Sequence, residues 1–202
     1  MKKSNITQLV SIAFLLVSQL TIAHENWKPV KSKNGIVVSQ IQGTESKNVD
    51  SKVEFVVNRS ADDIIGYLIN FNGYTKWNSN CTQSKLVKKI DDSNWIYYTV
   101  FSAPFIQDRE LYAKVSLQTI DKKNYKMHIE ACPKIAAANS KFVRISNFYC
   151  DYTLEKSGNN KTFVIVTTSL DMAGNLSPSM VNKFSSNSLL NTFTNLCSQL
   201  NY

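Results

Sequence analysis

Apolar residues recur at helical spacing near the C-terminus, at Met180, Val181, Phe184, Leu189, Phe193, Leu196 and Leu200. Asn182, Lys183, Ser186, Asn187, Asn191 and Gln199 mark the opposite, polar face. Gly174 and Pro178 break the preceding pattern. Ser177 is a suitable cap, and Pro178 suits a first helical turn, where its missing N–H is no loss. The pattern predicts one amphipathic helix of about six turns. Such a helix is too long for a hairpin to cover and needs a broad, curved apolar surface.

Upstream, the period changes to that of strands. Residues 36–41 and 52–57 read as strands, with Asn34-Gly35 as a tight hairpin turn after Trp27-Lys28-Pro29-Val30. Ser60 then offers an N-cap with acidic Asp62 and Asp63 behind it, and Ile64, Ile65, Leu68 and Ile69 form the buried face of a short helix. Asn72-Gly73 ends that helix, and Tyr74 and Trp77 follow as plugs for one end of the core. Strands resume at 85–90 and 95–101 around the turn Asp91-Asp92-Ser93-Asn94, and 103–108 forms a loop. From Arg109 onward Leu111, Ala113, Val115 and Leu117 alternate with Glu110, Lys114, Ser116 and Gln118. On the next strand Tyr125, Met127, Ile129 and Ala131 point inward, against Lys126, His128 and Glu130. Two more strands are expected, at 141–155 and 162–170, joined by Ser157-Gly158-Asn159-Asn160. Strands in series with a helix near each end predict an α+β fold: a curved antiparallel β-sheet wrapped around a long C-terminal α-helix.

The N-terminus changes the picture of where this domain works. Lys2-Lys3, the apolar run at 9–17 and Thr21-Ile22-Ala23 have the order of a secretory signal peptide. The apolar core is shorter than the ~20 residues of a membrane span. Residues 1–23 are therefore expected to be removed, leaving residues 24–202 as one exported domain, periplasmic or extracellular. Removal of Lys2 and Lys3 takes the formal net charge from +8 to +6. A mild basic excess is compatible with transient contact with anionic membrane surfaces, although a solvated basic surface accounts for it as well. Without a clustered Lys/Arg tract interleaved with aromatics, no nucleic-acid partner is expected, and the protein is expected to be a monomer.

Four cysteines, Cys81, Cys132, Cys150 and Cys197, form no Cys-x-x-Cys spacing. Disulfides and buried free thiols both remain open, except that strand parity sets Cys132 and Cys150 on opposite faces, too far apart to bond. Catalysis needs a positioned base or nucleophile. The candidate histidines are His24, at the start of the mature chain, and His128, outward by parity. No Gly-x-Ser-x-Gly elbow or phosphate loop is present, so neither metal, cofactor nor catalytic residue is expected.

Several stretches, in order along the chain, match a known family. They are Trp27 through Lys33-Asn34-Gly35-Ile36-Val37-Val38, Ser60-Ala61-Asp62-Asp63-Ile64 with Tyr74-Thr75-Lys76-Trp77, and Trp95-Ile96-Tyr97-Tyr98 through Ala103-Pro104 to Asp108-Arg109-Glu110. Phe142-Val143-Arg144-Ile145 and Asp171-Met172-Ala173-Gly174 with Pro178 and Val181-Asn182 complete the set. Together they resemble START domains, the lipid-transfer modules related to steroidogenic acute regulatory proteins, within the Bet v 1-like helix-grip superfamily. The resemblance implies a non-catalytic protein that holds a lipid or other hydrophobic ligand in a tunnel between the sheet and the C-terminal helix. Ile96, Tyr98, Arg109, Leu111, Ala113, Met127, Ile129, Arg144, Met180 and Phe184 are expected to line it. In the cholesterol-binding branch an inward acid and arginine pair within the tunnel, at positions that the resemblance places at Ile96 and Val115. Their loss favours acyl chains over sterols. Arg109 and Arg144 are expected inward, each needing a partner such as Asp108 or Asp151, or else a ligand headgroup. Two alternatives stand: an aromatase/cyclase-like enzyme of the same superfamily, and an interaction protein with a filled cavity.

Overall fold

Asn34 and Gly35 both take positive φ, 51° and 79°, as a type I′ hairpin turn requires, and join β1 (Trp27–Lys33) to β2 (Ile36–Ile41). The computed structural model describes residues 26–41, 48–104, 106–121, 123–174 and 176–200, so the leader expected at 1–23 lies outside the described residues. The chain continues through β3 (Asn48–Val57), α1 (Ala61–Leu68), a 3-10 turn (Phe71–Lys76), β4 (Cys81–Lys89), β5 (Asn94–Ala103), β6 (Ile106–Asp121) and β7 (Asn124–Ala131). A short 3-10 turn (Pro133–Ile135), β8 (Val143–Arg144), β9 (Phe148–Gly158), β10 (Lys161–Asp171) and α2 (Pro178–Leu200) complete it. Among the described residues the strands form one ten-stranded sheet in the order β1-β2-β3-β10-β9-β7-β6-β5-β4, with β8 beside β6.

All pairings are antiparallel except β6 with β8. The single strand expected at 141–155 is therefore two pieces. Arg144 explains the break: it pairs with Glu110, and the backbone follows it, with Arg109 opposite Val143 and Glu110 opposite Arg144. The Trp27 stretch is a full edge strand, whose Pro29 sits beside a register shift, where its missing N–H is tolerated.

Ser60 caps α1 as its sequence predicts, with Oγ accepting from Asp63 N at 3.2 Å. Ile64, Ile65 and Leu68 of α1 enter the main core. α2 lies against β1, β2 and β3, so the expected arrangement of a curved antiparallel sheet and a long C-terminal helix is the one observed. Phe193 of α2 is set between Phe55 at 5.1 Å and Tyr152 at 6.3 Å, and burying a side chain of this size contributes about 1.5–3 kcal/mol. Tyr67 Oη donates to the Gln199 carbonyl at 3.2 Å and Arg59 Nε to that of Leu200, closing the C-terminal end of the helix.

Candidate functional site: a cavity beneath the C-terminal helix

Between the sheet and α2 lies a partly open cavity of about 160 Å³. Leu111 of β6, Ile129 of β7 and Val166 and Leu170 of β10 wall it from the sheet side, and Phe184 and Leu189 from the helix. Alternation puts these sheet residues on one face: Leu111 pairs with Thr99 across β5 and β6, and Ala113 with Tyr97 and Ala131. The lining also takes in Tyr74, Trp77 and Tyr97, whose rings pack at 4.8 Å and 5.4 Å around Tyr74. Ile106, Met172 and Phe184 come from a second, smaller apolar cluster that includes Val49, Leu176 and Val181.

Of the residues expected from the sequence, Arg109, Leu111, Ile129 and Phe184 line the cavity. Ala113 and Met127 share the inward face but are spent in the core, at 0% and 1% exposure. Ile96 and Tyr98 face the other way. The run from Trp95 to Val100 is buried on both faces, so it shows no alternation from which to read parity. Trp95, rather than Ile96, stands opposite Val115 on the inward face. Met180, expected on the buried stripe of α2, is 58% exposed.

Arg144 points to the outer face of the sheet. Its Nε and Nη2 donate to Glu110 Oε1 at 2.8 Å and 2.7 Å, and its Nη1 to the Pro133 and Ala136 carbonyls. Tyr112 lies beneath the guanidinium, 4.9 Å away. Burial, then the Glu110 charge, push the neighbouring Tyr98 phenol up to about 12. The partner of Arg144 is thus Glu110 rather than Asp108 or Asp151; Asp151 Oδ1 lies instead 2.6 Å from His128 Nδ1.

Arg109 is the cation of the cavity. It is buried, donates through Nε to the Met172 carbonyl at 3.4 Å and through Nη1 to that of Gln107, and among the described residues has no carboxylate at ion-pair distance. Burial lowers its guanidinium from the ordinary value and Asp108 offsets part of that. The approach of the 171–174 turn depends on backbone freedom: Gly174 has φ +79°, and a Cβ added there would stand 3.8 Å from Arg109 Nη2.

The remaining polar lining was not legible as such in the sequence. Burial pushes the Tyr74, Tyr97 and Tyr152 phenols and the Cys150 thiol up, so all are neutral near pH 7, and the thiol is a poor nucleophile. Thr192 of α2 accepts from Ser79 N at 2.9 Å, and Ser188 accepts from Asn80 Nδ2 at 3.3 Å. Ser185 Oγ is buried and has no hydrogen-bond partner among the described residues. A row of positions four apart, 181–185–189–193, puts Ser185 among the apolar residues of α2, a signal that a search for apolar repeats passes over. All four cysteines are free, and Cys150 opens on the cavity as its parity predicts. Among the described residues no His/Cys/Asp/Glu group suits a metal, and no helix is long and apolar enough to cross a membrane.

No curated protein matches the sequence. Solved structures do match. A STAR-related lipid transfer protein fragment from Xanthomonas axonopodis superposes with a TM-score of 0.80 at 21% identity, covering 87% of this chain and 99% of that one. Human StAR-related lipid transfer protein 5 gives a TM-score of 0.77 at 21% identity, over 87% of this chain and 86% of that one. At such identities the likeness establishes the fold. The START domain family itself matches residues 10–202. With that match spanning nearly the whole sequence, the chain belongs to the START domain family.

Proposed function

We propose that this protein is a non-catalytic carrier that binds a lipid or other hydrophobic molecule in the cavity beneath α2. The observation that carries the reading is the cavity itself, an apolar space between sheet and helix with one buried arginine in its wall. Each methylene moved into such a space from water contributes about 0.8 kcal/mol. The described lining holds no carboxylate and no imidazole, and its phenols and thiol are held neutral, which favours binding over catalysis. The lipid-transfer names of the structural neighbours point the same way. Arg109 without an inward acid suits an acyl chain with an oxygen-bearing headgroup better than a sterol hydroxyl. The cavity is smaller than the 300–1,000 Å³ or so of ordinary ligand pockets, so loading requires α2 or the β5–β6 turn to move. We further place this activity after export, with a mature chain beginning near His24. A mass spectrum of organic extracts from the natively purified protein is the test. A bound hydrophobic species is expected. A protein that releases none, and takes none up from lipid vesicles, overturns the proposal.

A further inference from the structure

We infer that Ser185 is a ligand-contacting residue, whose hydroxyl bonds an oxygen of an amphipathic occupant and so reads the polar part of the ligand from the helix side. The inference rests on the cavity-binding function proposed above.

Ser185 is 7% exposed, lines the cavity, and its Oγ has no hydrogen-bond partner among the described residues. Other hydroxyls of the same helix behave differently. Thr194 donates to the Leu190 carbonyl at 2.7 Å and Ser198 to that of Thr194 at 3.0 Å, the usual bond to the residue four back. Ser186 donates to Lys183 O at 3.2 Å. Ser188 and Thr192, which also line the cavity, are engaged by Asn80 and Asn78. Ser185 alone among these, within the described residues, keeps a buried hydroxyl without a partner in the wall of the space that an occupant would fill. A buried polar group without a partner is unfavourable, whereas alanine would fill the same helical position without that cost. An oxygen on the ligand resolves the deficit. The sheet-side wall of Leu111, Ile129 and Val166 suits the alkyl part, so the ligand class is an aliphatic chain bearing a hydroxyl or carbonyl oxygen.

The test is displacement of a fluorescent fatty acid from delipidated full-length protein by 1-decanol and by 1-chlorodecane, which differ in the oxygen. Ser185→Ala is expected to weaken 1-decanol about three- to tenfold and to leave 1-chlorodecane unchanged. The melting temperature of the ligand-free variant should equal or exceed that of the wild type, while Ser185→Thr should keep the preference for the alcohol. Equal 1-decanol affinity in wild type and Ser185→Ala overturns the inference, as does an equal loss for both ligands, which marks a packing effect. Failure of either compound to displace a bound reporter from wild type overturns the inference alone, whereas failure of the reporter to bind at all overturns the cavity-binding function and the inference with it.

Discussion

Two arginines flank the same sheet and meet opposite environments. Arg144 finds Glu110, whose side chain is 2% exposed, on the outer face; Arg109 faces the cavity, donates to two backbone carbonyls and, among the described residues, has no ion-pair partner. Breaking the outer pair leaves Glu110 buried without its counter-charge. Arg144→Met is therefore expected to cost about 3–5 kcal/mol, read as a lower urea midpoint at unchanged slope. Ligand affinity should stay as it was, because the pair faces away from the cavity. A loss below about 1 kcal/mol would mean the pair is effectively solvated. The sequence marked both arginines as inward, which holds for Arg109 and not for Arg144. Arg109 follows a clean alternation through Leu111 and Ala113, so its face was legible. Arg144 sits on a two-residue strand paired in parallel, too short for any period to reveal its orientation. Trp95 to Val100, apolar on both faces, misled the reading of Ile96 and Tyr98 for the complementary reason.

At the scale of elements, α2 has two unlike halves. Its C-terminal half places Phe193, Leu196 and Leu200 in the main core, and its side chains bond the 77–80 segment, Asn195 Nδ2 donating to the Trp77 carbonyl at 3.3 Å. Its N-terminal half rests on a small cluster around Val49, Met172 and Val181. The half with fewer buried contacts is the one that opens at lower cost. Leu196→Ala is expected to destabilise by about 2–5 kcal/mol. Phe184→Asp should cost less stability, since Phe184 is only part-buried, but should sharply reduce ligand uptake. Thermal melts beside binding titrations separate the two, and equal stability losses would contradict the division. Such elements were largely readable: Ser60, Asn34-Gly35 and Ser177 sit at the element ends they signal. The polar seam of α2 was not, because Ser185 and Thr192 take inward positions that an apolar count skips.

For the whole molecule, the core holds phenols and thiols that ionise only at a cost, foremost those of Tyr74, Tyr97, Tyr152 and Cys150. The folded state keeps Tyr74, Tyr97, Tyr152 and Cys150 protonated above the ordinary values of 10.0 and 9.0, whereas the unfolded chain releases those protons there. The unfolded state then binds fewer protons, so stability falls as pH rises. This contribution should be fully present below pH 9.0 and decline above it, with phenolate absorbance of the buried tyrosines appearing together with unfolding. Phenolate signal from all the tyrosines before unfolding would show that the cavity wall is open to water. A water-filled wall would also undercut the central claim, that the space beneath α2 is built for an apolar guest. That claim is tested most directly by titrating delipidated protein with a fluorescent fatty acid and displacing it with unlabelled fatty acids and phospholipids. The account predicts saturable binding at one site per chain, competed by at least one class of lipid and weakened by Phe184→Asp; no saturable binding across the panel would contradict it.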